Sequence, residues 1–240
     1  MRLLILTGGS RGIGLAIADE LSARGCTVIE FSRTAPHPYS IATDFATPLT
    51  AQRAVEAALA SVEQTQLEEL FVVSNAATLE PIGPSAYQPP ELVLSNLSIN
   101  LVSPALFISA VIARFQAVPC RKVIANISAG GARQGVYGWS LYCAAKMGME
   151  NFVQSLAIEQ QAQPHPFIPV NIDPGVVDTQ MHLVAGSASP DDFPAAPRFA
   201  TRRAQGQLTP PNRAGTAIAQ LLFSPTLTPG STYDARDIAA

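Results

Sequence analysis

Tyr142 and Lys146 are a pair of residues whose types and spacing suggest chemistry. They lie four residues apart in the proline-free stretch GWSLYCAAKMGMENF, residues 138–152, which is predicted to be helical, so both side chains would project from one face. An ammonium beside a phenol favours the phenolate and lowers its pKa from about 10. Such a tyrosine can supply the proton that a carbonyl oxygen needs during reduction. The same spacing also occurs by chance on surface helices, so the pair needs support from the rest of the chain.

A glycine-rich turn near the amino terminus gives the first support. The stretch LTGGSRGIG follows an apolar run and spaces Gly8, Gly12 and Gly14 as G-x-x-x-G-x-G. Glycines allow a tight turn and a close backbone approach to a diphosphate, and the helix that follows offers free N–H groups. The spacing is neither G-x-G-x-x-G nor a P-loop, and a plain strand-to-helix turn also uses glycine.

The end of the next predicted strand indicates which dinucleotide would bind. An acid there commonly bonds the ribose hydroxyls of NAD, but this chain has Ser32 and Arg33, with Arg11 in the glycine turn. Two guanidiniums and a hydroxyl suit a 2′-phosphate. Glu30 argues for NAD, but it lies two residues earlier, inside the strand. The sequence therefore favours NADP(H) as the cofactor.

Strand and helix patterns alternate through most of the chain, as in a parallel sheet covered by helices. This pattern predicts an α/β fold: one doubly wound, Rossmann-type parallel sheet of about seven strands, in a single domain over residues 1–240. Strands are predicted over 3–6, 26–31, 70–73, 122–127, 167–172 and 231–233, and helices over 13–24, 51–63, 90–115, 139–161 and 214–223. Pro104 is expected to interrupt or kink the long helix 90–115.

Composition and charge exclude several classes of protein. The 240 residues are 48% hydrophobic and 14% charged, with a net charge of −3 and no basic stripe, so a nucleic-acid partner is not expected. Cys26, Cys120 and Cys143 are widely spaced, which predicts reduced thiols in a cytoplasmic protein and no metal site. The apolar start of the chain reads as a buried strand instead of a signal peptide, and no run is expected to be long enough to cross a membrane.

Residues 185–211 differ from the rest because they are rich in Pro, Ala, Ser, Asp and Arg, with weak periodicity. A surface loop is one interpretation. The other is a mobile lid, over about 180–211, above a site at the carboxyl ends of the strands, where open α/β sheets bind ligands.

Over its whole length the chain resembles the short-chain dehydrogenase/reductase family. The matching motifs stand in the family's order: TGGSRGIG, SNAA, Asn100 in SINLVSP, YCAAK and DPGVVDT. More narrowly, GWSLYCAAK together with PGVVDTQM resembles the sepiapterin reductase and benzil reductase branch. That branch reduces vicinal dicarbonyls, or the side-chain ketone of a pteridine, with NADPH.

The resemblance implies roles for particular residues. Tyr142 would be the general acid, Lys146 would bond the nicotinamide ribose and depress the tyrosine's pKa, and Asn100 would hold a water that links Lys146 to solvent. Asp44 would lie against the adenine. The segment from Pro174 to Thr179 would close over the nicotinamide, with Thr179 bonding its carboxamide or the phosphates. Motif and resemblance together place the cofactor against Gly8, Ser10, Arg11, Gly12, Ile13, Gly14, Ser32, Arg33, Asp44, Asn75, Ala76, Ala77, Tyr142, Lys146, Pro174, Gly175, Val177 and Thr179, and the substrate against Ser128, Ala129, Trp139, Tyr142, Gly175 and Asp234. Asp234 would anchor a pterin, or is simply an acid in a terminal loop.

The chain departs from the family pattern at the serine that bonds the substrate carbonyl. That serine normally stands thirteen residues before the tyrosine, where this chain has Ala129, with Ser128 one residue earlier. Ser128 can act from an offset position, or the serine is absent, or the protein keeps the cofactor site without the activity. We favour Ser128. Ala77 at the family's usual glycine is a second, milder departure.

Three functions remain open. The leading one is an NADPH-dependent carbonyl reductase for a ketone or α-diketone, catalysed by Tyr142, Lys146, Ser128 and Asn100. The alternatives are a non-catalytic NADP(H) sensor or partner-binding protein, and a sugar or steroid alcohol dehydrogenase. The resemblance also implies a homodimer or homotetramer, formed by the two long helices.

Overall fold

The computed structural model describes residues 1–65 and 67–238 and contains one parallel sheet of seven strands. The strands are β1 (Arg2–Thr7), β2 (Cys26–Ser32), β3 (Ser40–Ala42), β4 (Glu69–Ser74), β5 (Arg121–Ile127), β6 (Phe167–Asp173) and β7 (Thr232–Asp234), in the spatial order β3-β2-β1-β4-β5-β6-β7. The order reverses between β1 and β4, so a crevice for a ligand is expected at the carboxyl ends of these two strands. The predicted Rossmann-type sheet is confirmed.

Helices cover both faces of the sheet. They are α1 (Gly12–Ala23), α2 (Pro48–Ala60), α3 (Pro90–Leu97), α4 (Ser103–Phe115), α5 (Ser140–Gln160), α6 (Gln180–Ser187), α7 (Ala196–Ala204) and α8 (Pro211–Phe223). Prolines open α2, α3 and α8, at the helical position where a missing N–H costs nothing.

The core forms two layers because side chains alternate along each strand. In β1, Leu4 and Leu6 pack with α1 and α8 on one face, and Leu3 and Ile5 pack with α2 and α4 on the other. All four side chains are buried, which explains why β1 is apolar at successive positions.

The sequence prediction was wrong in two places. Strand β3 was missed because it is only three residues long and is half-exposed at the sheet edge. Residues 185–211 were expected to be irregular, but the end of α6 and all of α7 lie in this segment. The helical pattern of α7 was not recognised because this helix is short and polar, with three arginines in nine residues.

The long helix 90–115 is interrupted ahead of Pro104. A π-helical turn, Ser98–Val102, joins α3 to α4, and the N–H of Ser103 donates to the carbonyl of Ser98. Pro104 has no N–H, so it cannot give the carbonyl of Asn100 its usual α-helical donor. The interruption was predicted, and it takes the form of a turn closed by an i to i+5 hydrogen bond in place of i to i+4.

The continuous helical stretch Pro90–Phe115 also corrects the expectation about membrane-spanning length. It is 26 residues long and its most apolar part has a mean hydropathy of 1.7, which is sufficient to cross a membrane by length and composition alone, and 44% of that part is buried inside the protein. Core helices meet the same criterion, so this is weak support for a membrane span. Phe107, Ile108, Val111 and Phe115 of α4 belong to the core layer beneath the sheet.

Candidate active site

The glycine turn between β1 and α1 has the shape that a diphosphate needs. Gly8 and Gly12 have φ angles of +72° and +60°, which side chains with a Cβ rarely adopt. A Cβ on Gly14 would lie 2.2 Å from the carbonyl oxygen of Gly8, so the backbone closes tightly there. The first turn of α1 holds no acidic residue, and its N–H groups can therefore attract an anion. These residues fit the diphosphate of a dinucleotide.

Glu30, near the end of β2, is hydrogen-bonded to this turn. Its buried carboxylate accepts a hydrogen bond from the N–H of Gly9 at 2.7 Å and from the hydroxyl of Ser32 at 3.1 Å. Arg11 and Arg33 have exposed side chains, and neither forms an ion pair with any residue that the structure describes. Glu30, the acid that favoured NAD, is thus hydrogen-bonded within the protein. Arg11 and Arg33 lie at the same edge of the sheet and form no ion pair with a described residue.

The loop after β4 is bonded to the glycine turn. The side chain of Asn75 donates to the carbonyls of Gly8 at 2.8 Å and Thr7 at 3.2 Å, and the N–H groups of Asn75 and Ala76 donate to the Thr7 hydroxyl. Ala77 follows with a half-buried side chain. The structure therefore brings these predicted cofactor residues together with the turn.

Asp44 follows β3 and stays exposed. Its carboxylate accepts from the N–H of Ala46 at 3.0 Å, in the turn that leads to α2. The structure thus places Asp44 at the carboxyl edge of the sheet, beyond β2. Its contact with adenine remains a prediction.

The segment after β6 lies above the glycine turn. The N–H of Gly175 donates to Asp173 at 2.9 Å, and the Thr179 hydroxyl accepts from the N–H of His182, which caps α6. The methyl carbon of Thr179 lies 3.4 Å from where a Cβ on Gly12 would be. Pro174 and Val177 are buried, so the segment that was predicted to close over the nicotinamide is anchored beside the turn.

Tyr142 and Lys146 lie together on α5, as the i, i+4 spacing predicted. The ammonium nitrogen of Lys146 is 5.8 Å from the centre of the Tyr142 ring, and it donates to the carbonyl of Ile127 at 2.7 Å. Both side chains are buried.

Burial sets the acidity of this pair. It raises the pKa of Tyr142 above its ordinary value, and the nearby Cys143 and Asp173 act in the same direction. Burial lowers the pKa of Lys146 to about 8, although Glu150 opposes this change. Because charged forms are costly to bury, the expectation of a depressed tyrosine pKa was wrong for the protein without its cofactor.

Asn100 lies in the π-helical turn and is fully buried. Its side-chain oxygen accepts from the N–H of Thr78, and its amide group donates to the carbonyl of Thr78, both at 2.9 Å. The amide also donates to Asn96 at 3.0 Å. The side chain therefore fixes the loop after β4. The predicted water would have to bind the Asn100 carbonyl, which Pro104 deprives of its helical donor.

Ser128 and Ala129 follow β5 and point in different directions. The buried Ser128 hydroxyl donates to the carboxylate of Glu150, which is also paired with Arg133 at 3.2 Å. Ala129 instead packs against the cluster that contains Tyr142. The structure does not show the Ser128 hydroxyl bonded to the tyrosine, and its catalytic role stays a prediction.

An aromatic cluster surrounds Tyr142. Trp139 meets the Tyr142 ring edge-on at 5.7 Å and stacks on Phe193 at 4.6 Å, and Phe199 of α7 packs on both Trp139 and Phe193. Only 6% of Tyr142 is exposed. The cluster therefore covers most of the Tyr142 side chain.

Asp234 is paired within its own turn. Its carboxylate accepts from the N–H of Arg236 at 2.9 Å and forms an ion pair with the Arg236 side chain, which holds the pKa of Asp234 below its usual range. Arg236 in turn lies against Gly175. The structure thus gives Asp234 a capping role, and its contact with a pterin remains a prediction.

Sequence reasoning missed Glu150, Arg133 and Asp173. Glu150 is buried one helical turn beyond Lys146, so the i, i+4 rule could have indicated it. Asp173 ends β6 beside Gly130, where an added Cβ would lie 2.1 Å from its carboxylate. Among the residues that the structure describes, no three His, Cys, Asp or Glu side chains are grouped to hold a metal ion.

Comparisons with known proteins find a matching family and similar chains. The short chain dehydrogenase family model matches residues 2–188. A benzil reductase ((S)-benzoin forming) of Bacillus subtilis (strain 168) is 29% identical over 99% of this chain and 99% of that protein. A sepiapterin reductase of Xenopus tropicalis is 26% identical over 97% of this chain and 95% of its own. The crystal structure of the KRED1-Pglu enzyme superposes with a TM-score of 0.82 at 25% identity, covering 97% of this chain and 100% of that one.

Proposed function

Since the chain belongs to the short chain dehydrogenases, a family of oxidoreductases that bind a nicotinamide cofactor, we propose that it is an NADPH-dependent carbonyl reductase. The observation that carries the proposal is the buried Tyr142–Lys146 pair on α5. A phenol and an ammonium at this position can deliver a proton beside a bound nicotinamide.

The reaction balances as a two-electron reduction. A nicotinamide cofactor held at the glycine turn would provide the hydride that the carbonyl carbon accepts. Tyr142 donates its phenolic proton to the carbonyl oxygen, so the product is an alcohol. Lys146 stabilises the phenolate that remains, and water held at Asn100 returns the proton. In the cofactor-free protein the raised Tyr142 pKa keeps the phenol protonated, as a general acid requires.

A ketone or α-diketone with an aromatic substituent is the proposed substrate class. Two observations support it: the relatives are reductases of benzil and of sepiapterin, and Trp139 meets the Tyr142 ring with Phe193 and Phe199 packed on it. Flat rings pack favourably against such side chains. We propose that α6 and α7, within residues 180–211, act as the lid, because Phe193 and Phe199 pack on Trp139, which lies against the tyrosine ring.

NADPH is proposed over NADH because of charge. Arg11 and Arg33 are exposed at the edge where a 2′-phosphate would lie, while Glu30 is bonded to Gly9 and Ser32. A ribose hydroxyl would therefore find no free carboxylate at Glu30, whereas a phosphate would find two guanidiniums.

The remaining proposals concern assembly and location. Exposed apolar side chains lie on the long helices, at Leu94, Val102 and Met147 among others, which supports the proposal of a homodimer or homotetramer. We further propose a cytoplasmic protein whose other partner is a small carbonyl compound, without a nucleic-acid or membrane partner.

The test is an assay of NADPH oxidation with benzil, phenylpropanedione and sepiapterin. We expect turnover with at least one, and its loss in Tyr142→Phe. If the wild-type protein turns over none of them, or if Tyr142→Phe is as active as wild type, the proposed function is wrong.

One observation favours a second candidate, the non-catalytic NADP(H) sensor. The residue that packs toward Tyr142 is Ala129, and the neighbouring serine is bonded to Glu150. Tight NADPH binding, measured by nicotinamide fluorescence, without turnover across a broad carbonyl panel would favour the sensor.

A further inference from the structure

We propose that residue 129 sets the substrate range of this protein: its methyl group leaves the carbonyl oxygen without a serine donor and restricts reduction to activated carbonyls such as α-diketones. This inference rests on the proposed function, because it concerns the same Tyr142 site. It concerns the segment 128–133, where the family's serine is replaced.

The backbone decides which of the two residues faces the tyrosine. The N–H of Ser128 donates to the carbonyl of Ile172 at 2.8 Å, which continues the pairing of β5 with β6. Ala129 is extended as well, with φ and ψ of −152° and 114°. Consecutive residues of an extended chain point to opposite sides. Ser128 accordingly points to Glu150 on α5, and Ala129 packs against the apolar cluster that contains Tyr142.

Several bonds keep Ser128 in this orientation. A hydroxyl has one proton to donate, and here a buried carboxylate takes it in a charge-assisted bond. The same carboxylate of Glu150 pairs with Arg133, which ends the short 3₁₀ helix Gly130–Arg133. Asn171 donates to the backbone carbonyl of Glu150 at 3.3 Å. Turning Ser128 toward Tyr142 would break its bond to Glu150 and disturb a network that anchors the whole loop.

The loop has little space in which to shift. An added Cβ on Gly130 would lie 2.1 Å from the carboxylate of Asp173, so the backbone already presses against β6. The offset position of Ser128 is therefore fixed from both sides. Ser128 and Glu150 are positioning residues, and the face toward Tyr142 presents a methyl group.

The missing hydroxyl has a chemical consequence for the substrate. Losing one donor to a developing oxyanion typically costs about 10²–10³ in rate. A carbonyl next to a second carbonyl is more electrophilic, because its neighbour withdraws electron density and shares the developing charge. An α-diketone therefore tolerates the loss, whereas a simple ketone depends on the donor.

The experiment compares phenylpropanedione with propiophenone, which lacks the second carbonyl. We expect wild type to prefer the diketone strongly. In Ala129→Ser, kcat/KM for propiophenone should rise about 10-fold or more, with a smaller gain for the diketone. The matched control is Gly131→Ser, which adds a hydroxyl to the same loop where a Cβ would meet nothing within 4 Å. It should leave the ratio between the two substrates unchanged.

Ser128→Ala and Glu150→Gln test the positioning role. Both should lower kcat by a similar factor, leave the substrate ratio unchanged, and combine in the double variant with less than additive loss. A loss of about 100-fold in Ser128→Ala alone, with Glu150→Gln close to wild type, would identify Ser128 as the oxyanion donor and overturn the inference.

The outcomes separate the inference from the proposed function. If wild type reduces both ketones and Ala129→Ser changes neither rate, the inference fails and the function stands. If wild type is inactive on every carbonyl tested and Ala129→Ser becomes active, the proposed function fails, and residue 129 abolishes reduction instead of restricting it to activated carbonyls. If both proteins are inactive, both fail.

Discussion

The carboxyl edge of the sheet has two halves that are built differently. Around β1, β2 and β4, the backbone itself forms most of the site. Glycines close a turn, and the Asn75 side chain donates to the backbone carbonyls of Thr7 and Gly8. Around β5, β6 and β7, charged side chains hold the loops, with Glu150 on Arg133 and Asp234 on Arg236. A site made of backbone serves one invariant group, whereas a site made of side-chain pairs can be altered to suit different substrates.

The largest expected effect belongs to the half near β5. Tyr142→Phe should lower kcat by about 10²–10⁴ without weakening NADPH binding, because the phenol serves the proton and the turn holds the cofactor. Steady-state kinetics and a fluorescence titration with NADPH measure the two effects. Tyr87→Phe is the control, since Tyr87 is 83% exposed. A parallel loss of cofactor affinity in Tyr142→Phe would contradict the division between the two halves.

Gly14→Ala should do the reverse. The added Cβ would lie 2.2 Å from the carbonyl oxygen of Gly8, so the turn must open and NADPH should bind about 10- to 100-fold more weakly. Gly135→Ala controls for the substitution itself, because a Cβ there meets nothing within 4 Å. Unchanged affinity in Gly14→Ala would show that backbone closure at this turn is not needed for the cofactor.

The buried ammonium of Lys146 should make stability depend on pH. Its pKa is lowered to about 8 by burial, while the unfolded chain keeps the ordinary value of about 10.4. Between these values the unfolded state binds more protons, so the unfolding free energy rises with pH. Below pH 8 both states are protonated and the cost of burying the charge is fully present.

Lys146→Met isolates this contribution. Relative to the variant, the cofactor-free wild type should gain up to about 3 kcal/mol of unfolding free energy between pH 8 and pH 10.5. Urea denaturation at several pH values measures the difference. Parallel curves for the two proteins would mean that the native ammonium is solvated.

Arg33→Ala should have the smallest effect of the four. We expect about a 10-fold rise in KM for NADPH and little change for NADH, because the lost contact is to a phosphate that only NADPH carries. Arg53→Ala, another exposed arginine without an ion pair among the described residues, is the control. A KM for NADPH equal to that of wild type would show that Arg33 does not bind the 2′-phosphate.

The features that local sequence patterns encode were predicted better than those that depend on contacts between distant segments. Apolar runs and glycine spacing are local signals, so most strands, the turn after β1 and the Tyr142–Lys146 pair were anticipated. The short edge strand β3 and helices α6 and α7 were not, because packing against other elements defines them more than their own residue pattern does.

The orientation of Ser128 shows why contacts between distant segments were harder to predict. In an extended segment a change of one residue reverses the face that a side chain occupies, so counting back from the tyrosine could not show which side Ser128 takes. Glu150, its partner, is distant in sequence. The aromatic cluster likewise joins Trp139 to Phe193 and Phe199 across long stretches of chain.

The π-helical turn Ser98–Val102 affects the phase of the helix that contains it. Five residues close this turn where an α-helix would use four, so the stretch Pro90–Phe115 carries one residue more than its rise requires. Deleting that residue would close the turn in α-helical register and keep α3 in nearly the same phase against α4. Asn96, which donates to the carbonyl of Glu80 at 2.8 Å, would keep that partner. A one-residue deletion elsewhere in Pro90–Phe115 would instead rotate one end of the stretch against the other by about 100°, and should therefore be tolerated less well than a deletion in the π-helical turn.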